Sequence, residues 1–131
     1  MTRILALDFG EARCGCALSD PSGTLATPIG AVERPATHRG LASLAELVRA
    51  RGVERVVVGL PLTLSGEEGE QARATREFAE RLSERVPVPV ELHDERLTTR
   101  QAERTGGARD VDSRAAAHLL EAYLAGARRP A

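Results

Sequence analysis

"ERVVVGL", residues 54–60, decides the fold. Its apolar run, Val56-Val57-Val58, does not alternate with polar residues, as expected of a strand covered on both faces. Such a strand belongs inside a sheet that carries helices on each side. Upstream, Leu41, Leu44, Leu47 and Val48 recur at helical spacing, and Gly52 is a natural stop. Downstream, "GLPLTLSGEEGE" reads as a loop. A second helix then turns Ala72, Thr75, Phe78, Ala79 and Leu82 inward, and "VPVEL" is the next strand.

Working outward, "RILALDF" is a short apolar strand ending at Gly10, and "RCGCALSD" is a second, closed by the tight-turn residues Pro21 and Gly23 of "DPSG". "TLATPIGAV" makes a third, which Pro28 pushes toward an edge or a bulge. The short connections favour an antiparallel meander. Toward the carboxyl end, Thr98 to Gln101 fits a capping box opening a short third helix, which Gly106-Gly107 ends. The last helix is expected from about Asp112 to Gly126, with Ala115, Ala116, Leu119, Leu120, Tyr123 and Leu124 as its apolar stripe. The expectation is an α/β fold: one domain over residues 1–131, order βββαβαβα, with a mixed sheet and helices on both faces.

Composition narrows the function classes. No run of about 18 apolar residues marks a membrane span, and the amino terminus lacks a signal-peptide layout, so a cytoplasmic protein is expected with no membrane partner. A formal charge of −1 argues against a chain that coats nucleic acid nonspecifically. All 18 basic residues are arginine, which compositional bias explains in number, so only their positions inform. Cys14 and Cys16 lie two apart on one strand face without a second ligand pair for zinc, and read as buried, reduced thiols.

Three acidic positions stand out. Asp8 follows "RILAL", and a carboxylate on an apolar strand is costly unless neutralised; the plain alternative is a turn opened with Gly10. Asp94-Glu95 ends another interior strand, where neighbours point to opposite faces, so one of the two faces a site while the other holds the loop or Arg96. Asp112, before "SRAAAHLL", reads first as an ordinary N-cap, yet it lies three and four residues before Ala115 and Ala116 and so shares their side. Sites in open α/β sheets collect at the carboxyl ends of strands. Converging carboxylates repel unless cations sit between them, and oxygen ligands of this kind select Mg²⁺ or Mn²⁺. Two such ions about 3.5–4 Å apart form a clamp used in phosphodiester hydrolysis.

Together, "LDFGEARCGCALSD", "VVVGLPL", "DERLTTRQA" and "VDSRAAAHLLEAYL" resemble the YqgF family, also called RuvX, of the ribonuclease H-like superfamily. The resemblance covers nearly the whole chain in order, and "DERLTT" beside the first-strand Asp-x-Gly is its most specific part. It implies a ribonuclease H-like fold similar to the RuvC Holliday junction resolvases, and a nuclease for the 5′ end of pre-16S ribosomal RNA. It also implies Asp8, Glu95 and Asp112 as the catalytic, metal-binding set, with Asp94 a further ligand or orienter and two Mg²⁺ or Mn²⁺ ions as cofactors. Where the family loop after "GLPL" typically reads Asn-Met-Asp-Gly, this chain has Thr63, Leu64, Ser65 and Gly66. The basic residues usual before the last motif are thinned to Arg109, followed by Asp110.

Arg96, Arg100 and Arg104 recur every four residues as one helical stripe, and with Arg13, Arg109 and Arg114 they are the candidate substrate contacts. The expected partner is nucleic acid: pre-rRNA, single-stranded RNA or branched DNA. A monomer suffices for trimming a single strand, whereas symmetrical junction cleavage requires a dimer, so a monomer or weak homodimer is expected. Two rival classes remain. Asp-x-Gly also resembles the phosphate turn of actin-like ATPases, which need two such domains. A noncatalytic RNA-binding or ribosome-assembly factor would keep the acids for structure.

Overall fold

The structure, a computed structural model, describes residues 3–62, 65–94 and 108–128. Within them the order is β1 (Ile4–Asp8), β2 (Arg13–Ser19), β3 (Ala26–Glu33), α1 (His38–Ala50), β4 (Arg55–Leu60), α2 (Glu70–Ser83), β5 (Val90–Asp94) and α3 (Ala108–Arg128). The strands form one mixed sheet in the order β3-β2-β1-β4-β5. β1, β2 and β3 are the antiparallel meander, with Leu5 opposite Leu18 and Asp8 opposite Gly15. β4 pairs parallel with both β1 and β5, Leu7 facing Val58 and Leu60 facing Asp94. Pro28 falls on the edge strand β3, where its missing N–H costs no ladder bond, and the β2–β3 register shifts between Cys16 and Ala17.

Alternation along the strands divides the interior into two cores. Leu5, Leu7, Cys14, Cys16, Val56 and Val58 face α1 and α2, where Leu41, Leu44, Phe78 and Leu82 complete the larger core. Ile4, Ala6, Ala17 and Val57 face the other way and are covered by Ala116, Leu119, Leu120 and Leu124 of α3. The valine run is therefore apolar throughout because each face has its own cover. Neither cysteine is in a disulfide, and both are buried in the larger core.

Local chemistry fixes the elements. Thr37 caps α1 by accepting from Gly40 N at 3.1 Å, and Gly52 ends that helix region at φ 63°. The β2–β3 turn is held by Asp20, whose carboxylate accepts from Leu25 N and Thr24 N at 2.9 Å. The Leu25 N–H and the Ser22 hydroxyl hold the Asp20 carboxyl well down, at about 2.

Two boundaries that bear on the site differ from the sequence reading. β5 begins at Val90, two residues beyond the start of "VPVEL", and continues through His93 to Asp94. α3 begins at Ala108 rather than near Asp112, so Asp112 is its fifth residue and not its N-cap. The expected short helix from Thr98 to Gly107 lies outside the described residues.

Candidate active site

Asp8 is the last residue of β1, an interior strand, and is half-buried. It shares the parity of Ile4 and Ala6, which pack under α3, so Asp8 opens on the α3 face. Gly15 lies opposite it on β2, and Arg13, two residues back, shares that face at the same end of the sheet. Arg13 is half-buried and registers with Glu33 of β3.

α3 runs back across this face. Leu124 packs in the same core as Ile4, and Tyr123 receives a hydrogen bond from Arg55, the first residue of β4. The carboxyl end of α3 thus lies over the strand starts. From Tyr123 back to Asp112 the helix rises about 16 Å, comparable to the roughly 13 Å from Ile4 to Asp8 along β1. Position 112, one turn before buried Ala116, therefore reaches the end of the sheet where Asp8 lies.

On β5 the alternation separates two neighbours. Val90 and Leu92 pack toward α2, so Asp94 shares the α2 side, opposite the face on which Asp8 opens. Glu91 and His93 turn to α3. Tyr123 donates its hydroxyl proton to Glu91 Oε2 at 3.0 Å, and its ring meets that of His93 edge-on at 5.7 Å. Arg55 closes the group, with Nη1 2.9 Å from the Tyr123 hydroxyl and 3.2 Å from Glu91 Oε1. Among the predicted site residues, Glu95, Arg96, Arg100 and Arg104 lie outside the described residues; Arg109 and Asp112 are placed only by their helix positions. Arg114 is exposed on α3. Among the described residues no three of His, Cys, Asp and Glu gather as a metal site.

The sequence reading passed over the Arg55–Glu91–Tyr123 group and the placement of His93. Tyr123 is the chain's one tyrosine, and a hydroxyl on an otherwise apolar helix stripe was the available signal.

A family profile described as "RuvX: Holliday junction resolvase" matches residues 2–126. The chain belongs to the RuvX family. Among its relatives is a "Putative pre-16S rRNA nuclease" of Chloroflexus aurantiacus, 44% identical over 130 residues, covering 92% of this chain and 85% of the relative. Another of the same description, from Nocardioides sp., is 47% identical over 138 residues, with 92% and 85% covered. In fold, this RuvX-family chain is similar to T. thermophilus RuvC in complex with a Holliday junction substrate (TM-score 0.64, 13% identity, 97% and 96% covered). It is also similar to the Fowlpox virus resolvase in complex with junction DNA (TM-score 0.60, 11% identity, 98% and 100% covered). The expected RuvC-like, ribonuclease H-type architecture of the RuvX chain is thus present. No helix among the described residues is long and apolar enough to cross a membrane.

Proposed function

We propose that this RuvX-family protein is a metal-dependent nuclease that trims the 5′ end of pre-16S rRNA in the cytoplasm, acting as a monomer or weak homodimer. The observation that carries the reading is Asp8: a half-buried carboxylate at the end of an interior strand, on the face covered by the helix that bears Asp112. The names of the relatives at 44% and 47% identity supply the substrate.

The donors fit a hard divalent ion. Asp8, Glu95 and Asp112 offer carboxylate oxygens only, which suits Mg²⁺ or Mn²⁺ over softer metals. Bound there, a pair of such ions supplies an activated water and charge stabilisation at the leaving oxygen. The protein's own part is to hold the carboxylates on two rigid elements, β1 and α3, and to meet substrate phosphates with Arg13 at the same sheet end and Arg114 on the exposed side of α3. Arg96, Arg100, Arg104 and Arg109 extend that phosphate contact. Asp94 shares the side of Val90 and Leu92, away from the face on which Asp8 opens, so the reading gives the ligand role to Glu95 and an orienting role to Asp94.

The test is a cleavage panel in Mn²⁺ with single-stranded RNA, structured pre-rRNA ends and four-way DNA junctions, for the wild type and Asp8→Asn. The expected result is cleavage of the pre-rRNA end, reduced on the order of 10²-fold or more by the substitution. Preference for the DNA junction would move the reading to a resolvase. RNA binding with no cleavage of any substrate would leave a noncatalytic assembly factor.

A further inference from the structure

A second cluster of arginines lies away from the predicted substrate contacts, around the turn between β3 and α1. Arg34 follows the last residue of β3 and sits at φ 43°, a conformation that favours glycine and persists here because its surroundings fix it. Its N–H donates to Ala12 O at 2.9 Å, and its carbonyl accepts from Thr37 N at 3.2 Å and Thr37 Oγ at 2.7 Å. α1 then packs so closely that a Cβ on Gly40 would collide with the Arg34 carbonyl oxygen. The backbone of the turn is thereby fixed by Ala12, Thr37 and the close approach of Gly40.

Two more arginines reach this turn from α2 and the residues after it. Arg81 donates to Ala36 O at 2.8 Å, and Arg85 Nη2 lies 2.8 Å from His38 Nδ1. Arg39 adds a fourth exposed guanidinium in the first turn of α1, which carries no acidic residue. Several arginines elsewhere are matched with acids: Arg49 with Glu46, Arg55 with Glu91, Arg76 with Glu68. Arg34, Arg39, Arg81 and Arg85 form no such ion pair among the described residues. In a chain of net charge −1, Arg34 and Arg39 thus add positive charge at the positive end of α1, and Arg81 and Arg85 come to the same turn from the carboxyl end of α2.

Its position links it to Asp8. Arg34 is bonded to the Phe9–Ala12 turn that directly follows Asp8, and Phe9, Ala36 and Arg81 border one hollow. Glu11 and Glu77 also border that hollow, which confines an anionic path to the Arg34–Arg39–Arg85 side. We propose that Arg34, Arg39 and Arg85 form a second phosphate-binding surface, which holds the RNA backbone as it passes around the sheet end from Asp8, while Arg81 ties the turn to α2 through Ala36 O. The proposal rests on the nuclease reading above for its partner.

The test measures affinity for a labelled single-stranded oligoribonucleotide in metal-free buffer across a salt series, which separates binding from cleavage. Arg39→Gln/Arg85→Gln is compared with Arg49→Gln/Arg51→Gln, the same charge loss at the far end of α1. If the surface holds two phosphates through Arg39 and Arg85, the first pair weakens binding by about tenfold and lowers the log–log salt slope by about 1.4. The control pair leaves the slope unchanged. Should the first pair perturb folding, Arg39→Gln alone is expected to lower the slope by about 0.7. Equal losses in both pairs, or an unchanged slope in the first, overturn the surface while leaving the nuclease reading intact. Loss of cleavage in Asp8→Asn with this slope change retained supports both, and a wild type that does not bind RNA overturns both.

Discussion

Asp112 illustrates how a residue's role depends on where its helix begins. An Asp-Ser pair before an alanine run has the signature of an N-cap, and as a cap Asp112 needs no further purpose. With α3 starting at Ala108, directly after Gly106-Gly107, Asp112 lies inside the helix and does not cap it. The glycine pair was the better boundary signal, because it breaks the helix more strongly than an Asp invites one. Inside a helix Asn and Asp have similar propensities, and one lost charge near the amino end costs about 0.3–1 kcal/mol at most. Asp112→Asn is therefore expected to melt near the wild type in metal-free buffer, while cleavage falls on the order of 10²-fold. A kinetic and thermal comparison of the two proteins checks this, and full activity in the variant would remove Asp112 from the site.

At the scale of elements, β5 shows what alternation can and cannot tell. "VELHD" alternates apolar and polar residues, and by itself that pattern implies one solvated face. Because neighbours on a strand point to opposite faces, the sequence says that one of Asp94 and Glu95 faces a site but not which. The structure gives Val90 and Leu92 to α2 and engages Glu91 and His93 through Tyr123. Tyr123 thereby ties α3, which carries Asp112, to the strand that leads into Glu95. Tyr123→Phe keeps the ring against His93 and removes two hydrogen bonds, at an expected cost of about 1–2 kcal/mol. The Arg55–Glu91 ion pair contributes less by itself, since both side chains are 40% exposed. A double-mutant cycle of Tyr123→Phe with Glu91→Gln, read by urea denaturation, should return a coupling of about 1 kcal/mol. Simple additivity would mean the hydroxyl does not act through Glu91.

For the whole molecule, the large-scale plan was legible because two periodicities rarely mislead. The meander followed from short connections, and the valine run required cover on both sides, which α1 and α2 provide on one face and α3 on the other. The five inward residues of α2 were read correctly from spacing alone: Ala72, Thr75, Phe78, Ala79 and Leu82 are all buried. What spacing cannot convey is which surface side chains meet across long sequence separations, as Arg85 meets His38. The same limit applies to the acids, whose convergence is a property of the folded chain and not of local sequence. That makes metal binding a test of the complete architecture. Carboxylates assembled only in the native state bind cations selectively in that state, and native-state binding stabilises by mass action. If Mn²⁺ at about 1 mM is roughly 100 times its dissociation constant, the gain is about 2.7 kcal/mol. For a chain of 131 residues that corresponds to a rise in Tm of roughly 10 °C. The rise should vanish with chelator, and in Asp8→Asn/Asp112→Asn, while the metal-free Tm of that variant stays near the wild type. An undiminished metal-induced rise in the double variant would place the ion elsewhere, and no rise in the wild type would deny a preformed site.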